Sequence, residues 1–370
     1  MLCAKPRSPV HGGALEHLAE RYALDAADLI DFSANINPYG PPPSVLALFA
    51  DRDAIARSLA AYPDRDASSL KRAVSERYGI PRTSIAVGNG GAALLDSALR
   101  SIPPTRCLVP IPAFSEYRRA IDACGHTWKP FALEDAENFR LDPRRTIEEL
   151  ERESPGVLIL TNPHNPSGAL ARCDAILEIV HAASAMQCMV LLDEAFIDYA
   201  PQESLLAYAA KMEHLVILRS VTKFYAMPAM RVAYAVAAPP LAERIEAFFP
   251  SWSTSTLAIE AAARANGDRL FDKRSLRFNT LLRDELAQHL RDIGVRVLPS
   301  AANYLLLELP ASWGAREFIC EKLVRSWGIV IRDCGDYDGL ADRSFVRVAV
   351  KDRSSNERLI QAFHSLSKEK

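Results

Sequence analysis

The sequence has no Cys-x-x-Cys pair, no G-x-x-x-x-G-K-[ST] loop and no surplus of one charge, and no apolar run in it reaches the ~18 residues that cross a membrane. Each absence excludes something. The seven cysteines (Cys3, Cys107, Cys124, Cys173, Cys188, Cys320 and Cys334) are odd in number and widely spaced. That argues against a disulfide framework and against a zinc or other metal site, and it suits a reducing cytoplasm. A formal net charge of −2, from 44 basic and 46 acidic residues, offers no field to attract nucleic acid or an anionic membrane. Arginines are plentiful, but acids interleave with them, as between Arg140 and Arg152, so most read as solvated helix faces. The opening MLCAKPRSPVHGG lacks the apolar core of a signal peptide, which again points to the cytoplasm.

What is present is globular in composition: 49% hydrophobic and 24% charged. At 370 residues the chain suits two domains, since one domain takes ~100–200 residues. Residues 1–40 read as an arm. A short amphipathic helix from Ala14 to Tyr22 leads into DFSANINPYGPPP, and a helix starts at Ser44 after three prolines. From about 66 to 240, helical segments alternate with the apolar runs SIAV (84–87), RCLVPI (106–111), GVLILT (156–161), CMVLLD (188–193), HLVILRS (214–220) and RVAYAVA (231–237). Runs apolar throughout suit strands covered on both faces, and the alternation implies a mainly parallel α/β sheet. Residues 254–293 read as nearly continuous helix, and the rest as a smaller α+β domain with which the arm packs. The expected division is an arm over 1–40, a large domain over 41–253 and a small domain over 254–370.

Ligands of such sheets bind at the carboxyl ends of the strands, and polar residues cluster there. Lys223, in Val221-Thr222-Lys223-Phe224, follows a buried strand. Lysine is rarely buried without a purpose, and a desolvated amine is a Schiff-base nucleophile. Asp193 ends CMVLLD and can pair with a cation such as a protonated pyridine nitrogen; a helix cap or a magnesium ligand are its blander readings. Asn165 stands in TNPHNPSG, where two Asn-Pro turns hold it over a strand end, ready to bond a phenolic oxygen. His164 beside it reads as a surface residue. Gly88-Asn89-Gly90-Gly91-Ala92 precedes a helix opening near Ala92, whose backbone N–H groups suit a phosphate. Ser220, Thr222 and Arg231 would complete that cup. Phe114, after RCLVPI, can stack on a ring. Gly88 to Ala93 also fits the dinucleotide pattern G-x-G-x-x-A, but the next strand ends in Ile-Pro without a ribose-binding acid.

Taken in order, these motifs resemble the fold-type I pyridoxal-phosphate enzymes, within them the histidinol-phosphate aminotransferase-like group, along essentially the full chain. The segments His11-Gly12-Gly13, DFSANINPYGPPPSV (31–45), AYPD (61–64), PAFSEYRRA (112–120), DEAFIDY (193–199), TKFYAMPAMR (222–231), IRDCGDYDGL (331–340) and FVRVAVKD (345–352) look most like the threonine-phosphate decarboxylases of that group. The resemblance implies an aminotransferase class I/II fold with a seven-stranded large-domain sheet, and pyridoxal 5′-phosphate as cofactor. It implies Lys223 as the imine lysine, Asp193 as pyridinium partner, Asn165 on the cofactor oxygen and Phe114 stacked. Gly90, Gly91, Ala92, Ser220, Thr222 and Arg231 would hold the cofactor phosphate. Tyr62 would reach the cofactor of a neighbouring subunit, which implies a homodimer. Arg347 would bind the substrate carboxylate, and Arg332, His11 and Asn35 a substrate phosphate, with Asn37 a further candidate. Four departures stand out: Phe196 where many aminotransferases have Tyr, though the decarboxylase-like pattern also has Phe; Gly91 and Ala92 where polar residues are usual; Ala229 and Ala233 where glycine is common; and Ser255 in place of Asn.

The reaction then depends on which bond at Cα stands perpendicular to the ring. Cleavage to the carboxylate gives decarboxylation of L-threonine O-3-phosphate; cleavage to hydrogen gives transamination, with histidinol phosphate the leading substrate. A regulator carrying an aminotransferase-like domain would need a DNA-binding extension, for which the arm is too short and too weakly basic. A nicotinamide dehydrogenase is the remaining reading.

Overall fold

The computed structural model describes residues 12–368 apart from Ala14, so His11 lies outside the described residues. The chain divides into two units: a larger one of Ile36–Leu281 with Pro299–Asn303, and a smaller one of the chain up to Asn35, Leu282–Leu298 and Tyr304 onward. The divisions expected at 40/41 and 253/254 therefore fall at 35/36 and 281/282. Packing explains the second shift. Helix Thr256–Gly267 lies against helices Pro43–Ala50 and Ser68–Tyr78 of the larger unit, and its apolar face (Ala258, Ile259, Ala261, Ala262, Ala265) is buried.

Thirteen strands are described. They are β1 (Ile30–Asp31), β2 (Ile85–Gly88), β3 (Arg106–Ile111), β4 (Thr127–Ala132), β5 (Val157–Thr161), β6 (Met189–Asp193), β7 (Leu215–Ser220), β8 (Ala233–Val236), β9 (Arg296–Val297), β10 (Tyr304–Glu308), β11 (Ile329–Val330), β12 (Arg332–Asp333) and β13 (Phe345–Ala349). The larger unit holds a seven-stranded sheet in the order β2-β8-β7-β6-β5-β3-β4. Neighbours pair in parallel except β8, which is antiparallel to both β2 and β7. The central strands are buried residue after residue because helices cover both faces. Strand β4 was not foreseen. It is an edge strand, mostly accessible to water and carrying Lys129 and Pro130, so it lacks the apolar run of its neighbours.

The smaller unit has an antiparallel sheet, β12-β13-β10-β9, and a parallel pair, β1-β11, through which the N-terminal segment joins the C-terminal part. Its core gathers Phe32, Leu290, Leu305, Leu307, Val346, Val348 and Phe363. The helix expected over 254–293 is two, Thr256–Gly267 and Arg269–Asp292. Asp268 breaks it and caps the second, accepting from Phe271 N–H at 3.0 Å. Ser255 caps the first, accepting from Ala258 N–H at 3.2 Å, a task Asn would perform equally well.

Candidate active site

Strands β5 and β6 end together at one edge of the large sheet, Thr161 opposite Asp193, and β7 runs two residues past them, with Leu218 opposite Asp193. Parallel pairing therefore delivers the loops after each strand to one place. Asp193 is half-buried there. Tyr117 Oη donates to its Oδ2 at 2.6 Å, and Ala195 N–H donates to its Oδ1 at 2.9 Å. Tyr117 Oη also meets Thr161 Oγ1 at 2.7 Å. Burial raises the Asp193 carboxyl above its ordinary value, while Tyr117, the Ala195 N–H and the Lys223 charge oppose that rise. Asp193 and Lys223 thus interact electrostatically across the ends of β6 and β7. Tyr117 was not singled out in the sequence; its position in PAFSEYRRA, three residues after Phe114 in the motif that follows β3, was the available signal.

The lysine sits in a turn pinned from below. Asn37 N–H donates to Lys223 O at 3.1 Å, and Asn37 Nδ2 donates to Phe224 O at 2.8 Å and Ser275 Oγ at 2.9 Å. Its Oδ1 accepts from Tyr39 N–H at 3.2 Å. The amide of Asn37 is thereby committed to holding the lysine turn, which corrects its expected role as a substrate-phosphate contact. Phe224 and Tyr225, both fully buried, anchor the turn in an aromatic cluster with Tyr199 and Phe271.

Beside it lie the expected phosphate ligands. Ser220 Oγ and Thr222 Oγ1 are 2.7 Å apart, so one donates to the other. Helix Gly91–Arg100 opens at Gly90, whose φ of 90° is natural only to glycine. A Cβ on Gly90 would stand 2.7 Å from Arg231 Nη2, so the absent side chain admits the guanidinium to the helix start. Arg231 itself is left-handed, φ 50° and ψ 54°, a conformation that costs roughly 1–2 kcal/mol for a residue with a Cβ. Free N–H groups, a macrodipole and a strained arginine converge on one spot, a cradle for an anion.

Beneath the loops lies a closed charge cluster. Arg219, adjacent to Ser220, reaches Asp198 Oδ1 at 2.5 Å, Glu194 Oε2 at 3.4 Å and Tyr78 Oη at 3.3 Å. Arg219 is 3% exposed, Glu194 0% and Asp198 5%. Glu194 follows Asp193, so this cluster ties the end of β6 to the end of β7.

His164 is buried, not a surface residue as expected. Its Nε2–H donates to Pro112 O at 2.9 Å and its Nδ1 accepts from Ser167 Oγ at 2.7 Å, which ties the Phe114 loop to the Asn165 turn. Burial pushes its pKa down to about 4, so it is neutral. Asn165 is buried in the same turn, and the ring of Phe114 meets that of Tyr117 edge-on at 5.8 Å. Tyr62 is 79% exposed, its ring 4.7 Å from that of Trp252.

In the smaller unit, Arg332 on β12 lies directly opposite Arg347 on β13. Residues so paired point to the same face of a sheet. Both are buried, at 6% exposed. Tyr304 underlies Arg347 at 5.2 Å and Tyr337 underlies Arg332 at 5.3 Å. Arg347 Nη2 donates to Ser33 O at 3.3 Å. Asn35, two residues from Ser33, is 3% exposed and its Oδ1 has no hydrogen-bond partner among the described residues, an orphan of the kind a ligand satisfies. Among the described residues no cluster of three metal-ligating side chains occurs.

The family model for aminotransferase class I and II matches residues 27–363. The chain belongs to that family. Within it, this aminotransferase class I/II protein is 33% identical to the threonine-phosphate decarboxylase of Salmonella typhimurium over 366 residues, 96% of each chain. It is 30% identical to the histidinol-phosphate aminotransferase of Methanocaldococcus jannaschii, over 98% of this chain and 95% of that one. The L-threonine-O-3-phosphate decarboxylase of Porphyromonas gingivalis shares the fold, with a TM-score of 0.80 at 24% identity, covering 91% of this chain and 99% of that one. Pyridoxal 5′-phosphate is the cofactor. The residues present fit it: the Gly90–Arg231 cradle suits its phosphate, and the carboxylate of Asp193 interacts with the amine of Lys223.

Proposed function

We propose that this protein, a cytoplasmic homodimer, decarboxylates L-threonine O-3-phosphate to (R)-1-aminopropan-2-yl phosphate, a step of cobalamin biosynthesis. The observation that carries the reading is the cross-strand pair Arg332 and Arg347: two buried guanidinium groups on one face, one of them held by a water-exposed acid, suit a substrate with two anionic groups. Phosphothreonine has both a carboxylate and a phosphate. Histidinol phosphate has only the phosphate, but its transamination partner 2-oxoglutarate carries two carboxylates; the pair suits decarboxylation, and the product assay decides between the two reactions.

The bound cofactor supplies an electron sink for the bond at substrate Cα that stands perpendicular to its ring. The protein's residues do the rest. Lys223 would hold the cofactor and return a proton to Cα. The carboxylate of Asp193, steadied by Tyr117 and the Ala195 N–H, would hold a proton on the ring nitrogen. Asn165 would bond the phenolic oxygen and Phe114 would lie against the ring. Gly90, Gly91 and Ala92 offer backbone N–H groups to the cofactor phosphate, with Ser220, Thr222 and Arg231 around them. Tyr62 of a second copy reaches that phosphate; its exposure supports this role. Arg347 fixes the substrate carboxylate, while Arg332 and Asn35, with His11, fix its phosphate. Two anchored anions set the torsion at Cα, so that CO2 rather than a proton departs.

The test is release of CO2 from phosphothreonine by the holoenzyme, set against 2-oxoglutarate-dependent turnover of histidinol phosphate. Decarboxylation should dominate. Lys223→Ala should lower it on the order of 10³-fold and abolish the yellow band that borohydride bleaches. Turnover only with histidinol phosphate and 2-oxoglutarate would replace this reading with transamination.

A further inference from the structure

Arg332 is already occupied. Its Nη2 donates to both oxygens of Asp336, at 2.8 and 2.6 Å, and its Nη1 donates to Asp333 O at 2.8 Å. The two partners sit in different surroundings: the side chain of Arg332 is 7% exposed, that of Asp336 34%. Asp336 lies in the turn after β12, with water on its open side. Asp333, the nearer acid in sequence, is committed elsewhere, to Arg316 at 2.5 Å and Gly335 N–H at 2.8 Å.

The Asp336 pair and an arriving phosphate make the same kind of charge-assisted bond to one guanidinium, but Asp336 keeps contact with water and loses part of its strength to solvent, whereas a phosphate brings more charge and three acceptor oxygens. An arriving phosphate therefore outcompetes Asp336, whose carboxylate turns into solvent at small cost. We propose that Asp336 is the resident counter-ion of Arg332, exchanged for the substrate phosphate on binding and competing for the guanidinium again at product release. The proposal rests on the reading of Arg332 as a phosphate contact. It also has a place in the reaction. Decarboxylation removes the group that Arg347 holds and leaves the phosphate intact, so the product is retained chiefly through Arg332. A tethered carboxylate competing at an effective concentration in the millimolar range then speeds its departure.

The experiment uses the holoenzyme as wild type, Asp336→Asn, Asp336→Ala and Arg332→Met. It measures KM for phosphothreonine and the inhibition constants of inorganic phosphate and of L-threonine, which has the carboxylate alone. Both Asp336 variants should lower KM and the phosphate inhibition constant by about fivefold and leave that of L-threonine unchanged. Agreement between the isosteric Asn and the truncated Ala separates competition from damage to the turn. An unchanged or raised phosphate constant in both would overturn the proposal, since Asp336 would then orient Arg332 instead of competing for it. Arg332→Met reports on the underlying reading separately: it should weaken phosphate inhibition strongly, and if it does not, the phosphate assignment of Arg332 fails whatever the Asp336 variants do.

Discussion

Arg219 in the larger unit and Arg332 in the smaller one are both buried arginines on strands, and both pair with carboxylates, yet they are built for opposite purposes. Arg219 meets Glu194 and Asp198, both buried, and a tyrosine oxygen as well. Nothing in that cluster can leave without abandoning a charge in a dry interior. Burial raises the Glu194 carboxyl, and the Arg219 charge works against that rise. Arg332 meets one acid, and that acid is open to water. Closed, the first arrangement is a fastening between two strands that end in the site. Open, the second is a binding group with a replaceable partner. The number of arginines in the sequence says nothing of this; the burial of their partners does.

That contrast can be broken by four measurements. Arg219→Met leaves two buried carboxylates facing each other, and should destabilise the fold by about 3–5 kcal/mol, read from the urea midpoint. A loss below 1 kcal/mol would mean that the cluster is not a fastening. His164 is a third kind of buried basic group, kept neutral by its removal from water. Its pKa in the fold is about 4 against an ordinary 6.5. The folded state thus resists protonation, so its contribution is complete above pH 6.5 and is lost as pH falls toward 4. The loss should reach about 3 kcal/mol, and His164→Gln should flatten the decline in stability over that interval. Arg332→Met should do the reverse of Arg219→Met. It should leave the urea midpoint nearly unmoved while raising KM for phosphothreonine about ten- to a hundredfold. The smallest effect belongs to Asp336→Asn, whose stability should stay within about 1 kcal/mol of wild type because its carboxylate is already partly in water.

Much of the larger unit was legible beforehand. Six apolar runs became six strands of its sheet, because strands covered on both faces cannot hide among polar residues. The strand that escaped notice, β4, is the one that water reaches. Lys223, Asp193 and Arg231 were visible because each is a charged residue closely following an apolar strand or its loop, where charge needs a reason. His164 was misread because a histidine between two turns looks solvated until the Phe114 loop is folded over it. Asn37 was misread because the backbone atoms it holds, at Lys223 and Phe224, lie far along the chain.

The sequence by itself determined the fold class and the order of the buried strands of the large sheet along the chain, since hydrophobic periodicity is a local property. Tertiary structure alone decided that Tyr117 should reach Asp193, that Glu194 and Asp198 should enclose Arg219, and that Arg332 should stand opposite Arg347 with an exposed acid at its side. Those outcomes depend on which surfaces lose water when distant segments meet, and the strength of a charge or a hydrogen bond is set by that loss.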